Sequence, residues 1–129
     1  MPAGGAVVAD TALSAGQMAI ARAMSEGELE EKVLDLCKGL GVLRFHNPDS
    51  RKVREKGLPD DILIGARGVL WRELKNMKRD LTPEQEKVGA DLLKHGQDWA
   101  VWRPCDLLSR RIERELRAIS GLRIKAGAA

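Results

Sequence analysis

Tyrosine is absent from this chain of 129 residues, and phenylalanine occurs once. The large members of the core must therefore be Trp71, Trp99 and Trp102, which lie in apolar stretches and are predicted to be buried rather than to stack on bases. The missing tyrosine excludes a tyrosine nucleophile, and no serine or cysteine stands in a pattern that pairs it with histidine. The sequence therefore does not favour covalent catalysis.

Cysteine is scarce, and long apolar runs are missing. Cys37 and Cys105 are far apart, with no C-x-x-C spacing, which excludes a cysteine zinc site and a disulfide framework. No apolar stretch approaches the roughly 20 residues that cross a bilayer, and the N-terminus lacks the charged start and apolar segment of a secretion signal. We therefore expect a cytoplasmic protein that does not bind membranes.

Positive charge is modest in total, at +3, but it is clustered. The stretch RKVREK precedes a Gly-Leu-Pro-Asp sequence, and KNMKR begins at the lysine of a Glu-Leu-Lys sequence. Two such clusters around an acidic site would attract a polyanion. The arginines of the C-terminal helix alternate with glutamates and indicate only a solvated surface. The candidate DNA-binding residues are Arg51, Lys52, Arg54, Lys56, Lys78 and Arg79.

Hydrophobic spacing predicts an α/β protein in the order α-β-β-β-α-β-α, with a mixed central sheet flanked by helices. Residues 1–24 are rich in Ala and Gly and predict a flexible arm or a weak helix, residues 25–119 form the domain, and residues 120–129 form a C-terminal tail. The two hairpin strands are apolar on both faces, which predicts helices on each side. The predicted elements are a helix from Ser25 ended by Gly41, strands at Val42–His46, Asp61–Ala66 and Val69–Lys75, a helix from Thr82 to Gly96, a strand in DWAVWRP and a helix over Asp106–Ile119.

Acidic residues stand at the same end of both hairpin strands. With a two-residue turn at Ala66-Arg67, strand register sets Asp60 opposite Glu73, whereas a three-residue turn makes Asp61 the direct partner. Lys75 lies two residues beyond Glu73 and therefore projects from the same face. Either turn brings an aspartate and a glutamate together.

Two adjacent carboxylates repel each other unless a cation lies between them. Oxygen ligands of this kind suit Mg²⁺ or Mn²⁺, one ion or two, and the Lys75 ammonium can hold a water or offset charge on a phosphate. The alternative is a surface hairpin whose end charges form salt bridges. A Pro-Asp and a Glu-x-Lys thirteen residues apart, bracketing two apolar strands, favour the metal site.

The stretch GLPDDILIGARGVLWRELKNMKRDLTPEQEKV resembles the core of the VRR-NUC nucleases, a branch of the PD-(D/E)XK superfamily, over about residues 25–104. The resemblance implies a restriction-endonuclease-like core in which Asp60 and Glu73 bind the divalent metal and Lys75 assists the water. It also implies that a first-helix glutamate completes the acidic cluster and that Gln85 lies beside it. Standalone phage-type members are similar in size to this chain.

Three assignments remain open. The first-helix ligand is Glu26 or Glu30, since Glu26 falls inside the apolar face and Glu30 at its edge; both are also explained as an acidic first turn that complements the helix dipole. Asp61 duplicates Asp60, and the family pattern favours Asp60. Gln85 is either a site residue or only the third position of a capping box after Thr82.

The sequence therefore predicts a metal-dependent DNA endonuclease. The resemblance to the VRR-NUC nucleases adds two expectations, a selectivity for branched or junction DNA and a homodimer, a state that is common among small family members. A phage origin would fit the resemblance. Two rivals share the same fold. One is a catalytically silent nucleic-acid-binding module, which the intact Asp, Glu and Lys argue against. The other is an RNase, although nothing in the sequence recognises a 2′-hydroxyl.

Overall fold

The computed structural model describes residues 12–47 and 56–121. Three predictions therefore concern parts of the chain outside the described residues, namely most of the N-terminal arm, nearly all of the tail after residue 121, and the basic residues Arg51, Lys52 and Arg54. No helix in the described part of the chain is both long and apolar enough to cross a membrane.

Four strands form one mixed sheet in the order β1-β2-β3-β4, and five helices accompany them in the described residues. Strands β1, β2 and β3 pair antiparallel, and β4 pairs parallel to β3. The predicted α/β fold, with a mixed central sheet and flanking helices, is confirmed. The elements are α1 Ala15–Ala23, α2 Glu26–Leu40, β1 Leu43–His46, β2 Asp61–Gly65, β3 Gly68–Leu74, α3 Pro83–Lys94, β4 Asp98–Trp102, α4 Pro104–Leu108 and α5 Arg111–Ser120.

The hydrophobic core lies on one face of the sheet, beneath α2 and α5. The sheet contributes alternate residues from neighbouring strands, among them Leu63, Leu70 and Trp102, because successive side chains in a strand point to opposite faces. Helix α2 contributes Leu29 and Val33, which recur on one side of the helix. We call this side of the sheet the core face.

The opposite face of the sheet is covered over β4 by α3. Gly89 lies so close to Trp99 that a Cβ at this position would come within 2.5 Å of the indole ring, so glycine permits the close packing of helix and strand. Over β1 and β2 this face is more open, since Leu43 and Phe45 are 62% and 55% exposed. The expectation of helices on both sides of the hairpin strands is therefore correct only in part. We call this side the open face.

The C-terminal helix predicted over Asp106–Ile119 is instead two helices, α4 and α5. Arg110 separates them with φ of 68° in the left-handed region, a conformation that is uncommon for residues other than glycine. Its side chain contacts Glu113 in the first turn of α5 through two hydrogen bonds. No Gly or Pro marks this break in the sequence, and apolar residues keep their helical spacing across it. The sequence therefore predicted one continuous helix.

Helix α1 lies within the stretch predicted to be a flexible arm or a weak helix. It begins with a capping box, in which Ser14 Oγ accepts from Gln17 N–H and the Gln17 side chain accepts from Ser14 N–H. Ala21 at its inner side is fully buried. Of the three tryptophans predicted to form the core, Trp102 is fully buried, whereas Trp71 and Trp99 are half-buried on the open face.

Candidate active site

The β2–β3 hairpin closes with the two-residue turn Ala66-Arg67. Gly65 pairs with Gly68 and Asp61 with Arg72, so the next pair in the same register is Asp60 and Glu73. Leu74 N–H donates to Asp60 Oδ2 at 2.9 Å, which holds the aspartate against the end of β3. Of the two registers that the sequence left open, the structure has the one that joins Asp60 to Glu73.

Glu73 is a buried carboxylate with an incomplete set of partners. The residue is 2% exposed, and Oε2 accepts from Gln85 Nε2 at 3.0 Å and lies 3.8 Å from Lys75 Nζ. Oε1 is buried and has no hydrogen-bond partner in the described part of the protein. Burial, and then the neighbouring Asp60 carboxyl, raise the pKa of Glu73 to about 9, although the Lys75 charge acts in the opposite direction.

Gln85 joins the first turn of α3 to this carboxylate. Its Oε1 accepts from Thr82 N–H at 2.9 Å and its backbone N–H donates to Thr82 Oγ1, which completes a capping box. Its Nε2 remains available and donates to Glu73. The sequence left open whether Gln85 caps the helix or belongs to the site. The structure has both contacts, because Oε1 caps the helix and Nε2 contacts Glu73.

This donor set fits a small divalent cation. A buried carboxylate oxygen without a partner is costly unless a cation or donor satisfies it, and Mg²⁺ is commonly bound through one or two carboxylates with water and phosphate oxygens completing its octahedron. The described residues contain no cluster of three or more His, Cys, Asp or Glu side chains able to hold a metal. Within the described residues, the candidate ligands that come together are therefore the pair Asp60 and Glu73.

The first-helix glutamates contact cations of the protein. Glu26 Oε1 lies 3.3 Å from the Arg79 guanidinium at the surface. Glu30 Oε2 lies 3.0 Å from Arg44 and also contacts His46. Neither of these contacts brings the glutamate to Asp60 or Glu73, so the role of Glu26 or Glu30 as a metal ligand stays a prediction.

A second charged cluster, on the core face, surrounds Asp61. This fully buried carboxylate accepts from Arg44 Nε at 3.0 Å and lies 2.7 Å from His46 Nδ1, and Glu30 closes the cluster from α2. Burial raises the pKa of Asp61, while the hydrogen bonds from Arg44 and His46 act against that rise. The neighbouring residues Asp60 and Asp61 thus belong to different clusters, Asp60 beside Glu73 and Asp61 on the core face. Arg44 was not among the residues predicted for a site. The alternation of polar Arg44 and His46 with apolar Leu43 and Phe45 is the signal that places both polar side chains on one face.

Arg72 is a further buried charge that sequence reasoning missed. It is 2% exposed, lies over the Trp102 ring at 5.2 Å from its centroid, and donates to Glu115 at 2.9 Å. Glu115 also accepts from Trp102 Nε1 at 2.8 Å. Although burial of Glu115 acts to raise its pKa, the Arg72 charge leads the interactions that bring it below its usual value. These contacts join β3, whose end carries Glu73, to α5.

The loops on both sides of the carboxylates are fixed by short contacts. Gly57 has φ of 95°, and a Cβ there would lie 2.4 Å from the Glu84 carbonyl oxygen, so only glycine fits against the start of α3. After β3, Asn76 Oδ1 accepts from the backbone N–H of Lys78 and of Arg79. Arg103 donates to the carbonyls of Asn76 and Arg79. Three predicted DNA-binding side chains are exposed in this region: Lys56, Lys78 and Arg79.

Comparison with known proteins gives one structural relative. No family model and no curated protein sequence matches the chain. A solved structure described as a VRR_NUC domain protein superposes with a TM-score of 0.56 at 22% sequence identity, over 75% of this chain and 92% of that chain. The chain has a VRR_NUC-like fold.

The VRR_NUC-like fold accounts for the arrangement of the sheet and helices, and it agrees with the restriction-endonuclease-like core that the sequence predicted. At this level of identity the similarity concerns the fold. The chemistry of the site is carried by the residues themselves, namely the two converging carboxylates, the buried lysine beside them and the amide of Gln85.

Proposed function

We propose that the protein is a metal-dependent nuclease that hydrolyses phosphodiester bonds in DNA. The observation that carries the proposal is the buried Glu73 carboxylate with one oxygen unpartnered, set opposite Asp60 and beside Lys75. Buried side-chain oxygens in folded proteins usually have a hydrogen-bond partner, so the unpartnered oxygen of Glu73 calls for a cation or a donor. The presence of this unsatisfied pair on a VRR_NUC-like fold supports a nuclease site.

Asp60 and Glu73 would hold the Mg²⁺ or Mn²⁺ ion, and Glu26 of α2 would supply a third ligand. When bound, the ion supplies Lewis-acid polarisation of a phosphate and a lowered pKa for its bound water. The carboxylates themselves contribute orientation, because Leu74 N–H fixes Asp60 and Gln85 fixes Glu73. Ligands held in this way need little rearrangement on binding.

Lys75 would steady the attacking water or offset charge that develops on the phosphate. The residue is 2% exposed, and its ammonium lies 3.8 Å from Glu73 Oε2, so it is held within the site rather than extended into solvent. A charge held in a site with little water acts more strongly on a developing anion than a solvated charge does. Lys75 therefore has the position expected of a group that acts on the reacting phosphate.

The exposed cations near the site would bind the DNA backbone. Lys56, Lys78 and Arg79 lie in the segments that precede β2 and follow β3, and Arg51, Lys52 and Arg54 extend the first of these clusters in the sequence. Contacts of this kind give affinity that depends on salt and little choice of sequence. They suit an enzyme that selects DNA by shape, including branched or junction DNA.

A homodimer is part of the same proposal. Two copies related by a twofold axis would present two sites, which is the arrangement needed to cut two strands of a branched substrate. The mass of the protein in solution, measured by light scattering across a concentration series, tests this part separately.

A phage-encoded protein acting in a bacterial cytoplasm would fit this activity.

The deciding experiment measures cleavage of supercoiled plasmid DNA and of a four-way junction, with Mg²⁺ and then with EDTA. Metal-dependent cutting of either substrate supports the proposal. Binding without cutting on both substrates would instead favour a silent nucleic-acid-binding module. An RNA of matched sequence, assayed beside the DNA, distinguishes a deoxyribonuclease from a ribonuclease.

A further inference from the structure

A cavity of about 340 Å³ opens on the open face directly beside Asp60. Its walls are largely apolar and include two aromatic side chains, the exposed Phe45 and the half-buried Trp71. Such a concave site, with an apolar lining and a few polar groups, is the usual form of a small-ligand pocket. The eight lining residues are Phe45, His46, Asn47, Leu58, Pro59, Asp60, Ile62 and Trp71.

We propose that this cavity receives one unstacked nucleobase of the DNA strand that is cut, held between Phe45 and Trp71. The inference rests on the proposed nuclease function, and it deepens it by naming the feature of the substrate that the site would recognise. An enzyme with such a pocket prefers DNA in which a base near the cut is unpaired, as at a flap, a bulge or a branch point.

The strand register places the two aromatic residues at a suitable separation. Phe45 pairs with Ile62 and Ile62 with Trp71, so the three side chains form one row across the sheet, with Ile62 between the aromatic residues. Residues two strands apart are about 9.5 Å apart in the sheet, and a flat ring in contact with a wall on each side needs about 7 to 8 Å. The row therefore leaves space for one planar ring.

The surroundings of the row favour a base over a purely apolar guest. Trp71 Nε1 donates to Gln97 Oε1 at 3.0 Å, which fixes the indole. Asn47 adds a polar group at the rim, and its N–H donates to the Asp60 carbonyl at 2.8 Å, so the rim is tied to the residue before β2. Nucleobases combine a flat face that stacks on aromatic side chains with a polar edge.

The position of Asp60 links the cavity to the scissile phosphate. The same residue lines the cavity and forms half of the carboxylate pair, and Ile62 in the cavity floor is two positions farther along the strand, about 6.6 Å away. A nucleotide whose phosphate lies at the carboxylates can therefore direct its base into the cavity. The exposed Lys56, two residues before the cavity-lining Leu58, supplies positive charge on this side for the adjoining phosphates.

The test uses flap substrates that carry one abasic nucleotide at successive positions around the cut. The wild-type protein should lose roughly 5- to 150-fold in kcat/KM at one position only, the range that base–aromatic stacking energies give. Phe45→Ala should cut the intact flap and that abasic flap at equal rates, and Trp71→Ala should do the same, with Trp71→Phe restoring part of the difference. Equal rates on every abasic substrate with the wild-type protein would overturn the proposal.

Leu43→Ala is the matched control, because Leu43 lies on the same strand and face as Phe45 and outside the cavity lining. It should keep the wild-type response to the abasic position. If Phe45→Ala and Leu43→Ala instead dissociate a dimer and leave that response unchanged, the open face is an interface between copies and the base-pocket proposal is wrong.

A binding measurement separates failure of the pocket from failure of the nuclease proposal. A flap carrying 2-aminopurine at the sensitive position, or scanned through the single strand if nothing is cut, is titrated with protein in Ca²⁺. Fluorescence quenching that is lost in Phe45→Ala supports the pocket even if no substrate is cleaved in Mg²⁺. Cleavage in Mg²⁺ without any such quenching supports the nuclease and overturns the pocket.

Discussion

Gln85 Nε2 donates a hydrogen bond to Glu73 Oε2 at 3.0 Å, so the first turn of α3 holds a buried carboxylate at the end of β3. The same side chain completes the capping box with Thr82. One amide thus connects the stability of a helix to the orientation of a candidate metal ligand, and the two contributions can be separated by substitution.

Gln85→Ala should reduce cleavage by about 10- to 100-fold, the usual effect of removing a group that orients a metal ligand. It should also destabilise the protein by about 1 kcal/mol through loss of the cap. Thr82→Ala is the control, because it removes the cap and leaves the bond to Glu73. Equal losses of activity in the two variants would show that Gln85 acts only through the helix.

Asp60→Ala and Glu73→Ala should each abolish cleavage while DNA binding stays near that of the wild-type protein. Activity should fall by more than the roughly 10- to 100-fold that follows loss of a group hydrogen-bonded to a metal ligand, because here the ligand itself is removed. Cleavage rates and DNA affinities, measured on the same junction substrate, check this. Glu84→Ala removes an exposed carboxylate from the first turn of α3 and serves as the control. Wild-type turnover in either site variant would contradict the metal assignment.

The stability of the metal-free protein should fall as pH rises. The pKa of Glu73 is raised from 4.5 to about 9 in the folded state, so the folded protein retains a proton that the unfolded chain has released. The stabilisation is complete below about pH 4.5 and is lost as pH approaches about 9. Thermal unfolding in EDTA across this interval should show the decline in the wild-type protein and a smaller one in Glu73→Gln. Identical profiles would show that Glu73 does not retain its proton.

Metal binding should strengthen with pH over the same interval, because the ligand must lose its proton. For one proton the affinity should rise by up to about tenfold per pH unit below the pKa of Glu73. Calorimetric titration with Mg²⁺ or Mn²⁺ in buffers of different ionisation enthalpy measures the released proton directly. Affinity that does not change with pH would contradict the coupling.

Gly57→Ala should destabilise the protein and lower its activity together. The left-handed conformation alone costs a residue with a side chain about 1 to 2 kcal/mol, and here the added Cβ would also meet the Glu84 carbonyl. Gly41→Ala is the matched control, since Gly41 has φ of 70° with nothing within 4 Å of the added atom. Unfolding in denaturant should therefore show the larger loss for Gly57→Ala, and only that variant should cut DNA more slowly.

Lys52→Ala combined with Arg54→Ala should weaken DNA binding and reduce the salt dependence of the binding constant by about 1.8 in slope, at about 0.9 for each phosphate contact. The double variant Arg114→Ala with Arg117→Ala removes two exposed cations from α5 and should leave the slope unchanged. Affinity measured across a salt series distinguishes the two. An unaltered slope in the first variant would exclude these residues from the interface.

Local sequence patterns predicted the sheet, the hairpin and its acidic end. The sequence left a two-residue and a three-residue turn open, and the structure has the two-residue turn at Ala66-Arg67. Either turn brings an aspartate to Glu73, and this conclusion needs no information from distant parts of the chain. The helix from Thr82 was equally well indicated, because capping residues act within one turn. Both features depend on interactions between near neighbours in the sequence.

What the sequence did not predict depends on contacts between distant residues. The buried Arg72 contacts Glu115, 43 positions later, and no local pattern indicates that partnership. Glu30 lies beside Arg44 because α2 crosses the start of the sheet, a placement set by packing of the whole domain. The break at Arg110 likewise arises without the glycine or proline that usually marks one.

The contact between Gly57 and the Glu84 carbonyl has a consequence for how this protein can diverge. Gly57 packs against the residue that precedes Gln85, so the chain from this point to Asp60 has a set distance to span. We therefore expect an insertion between Gly57 and Asp60 to displace the aspartate from Glu73 and to abolish cleavage.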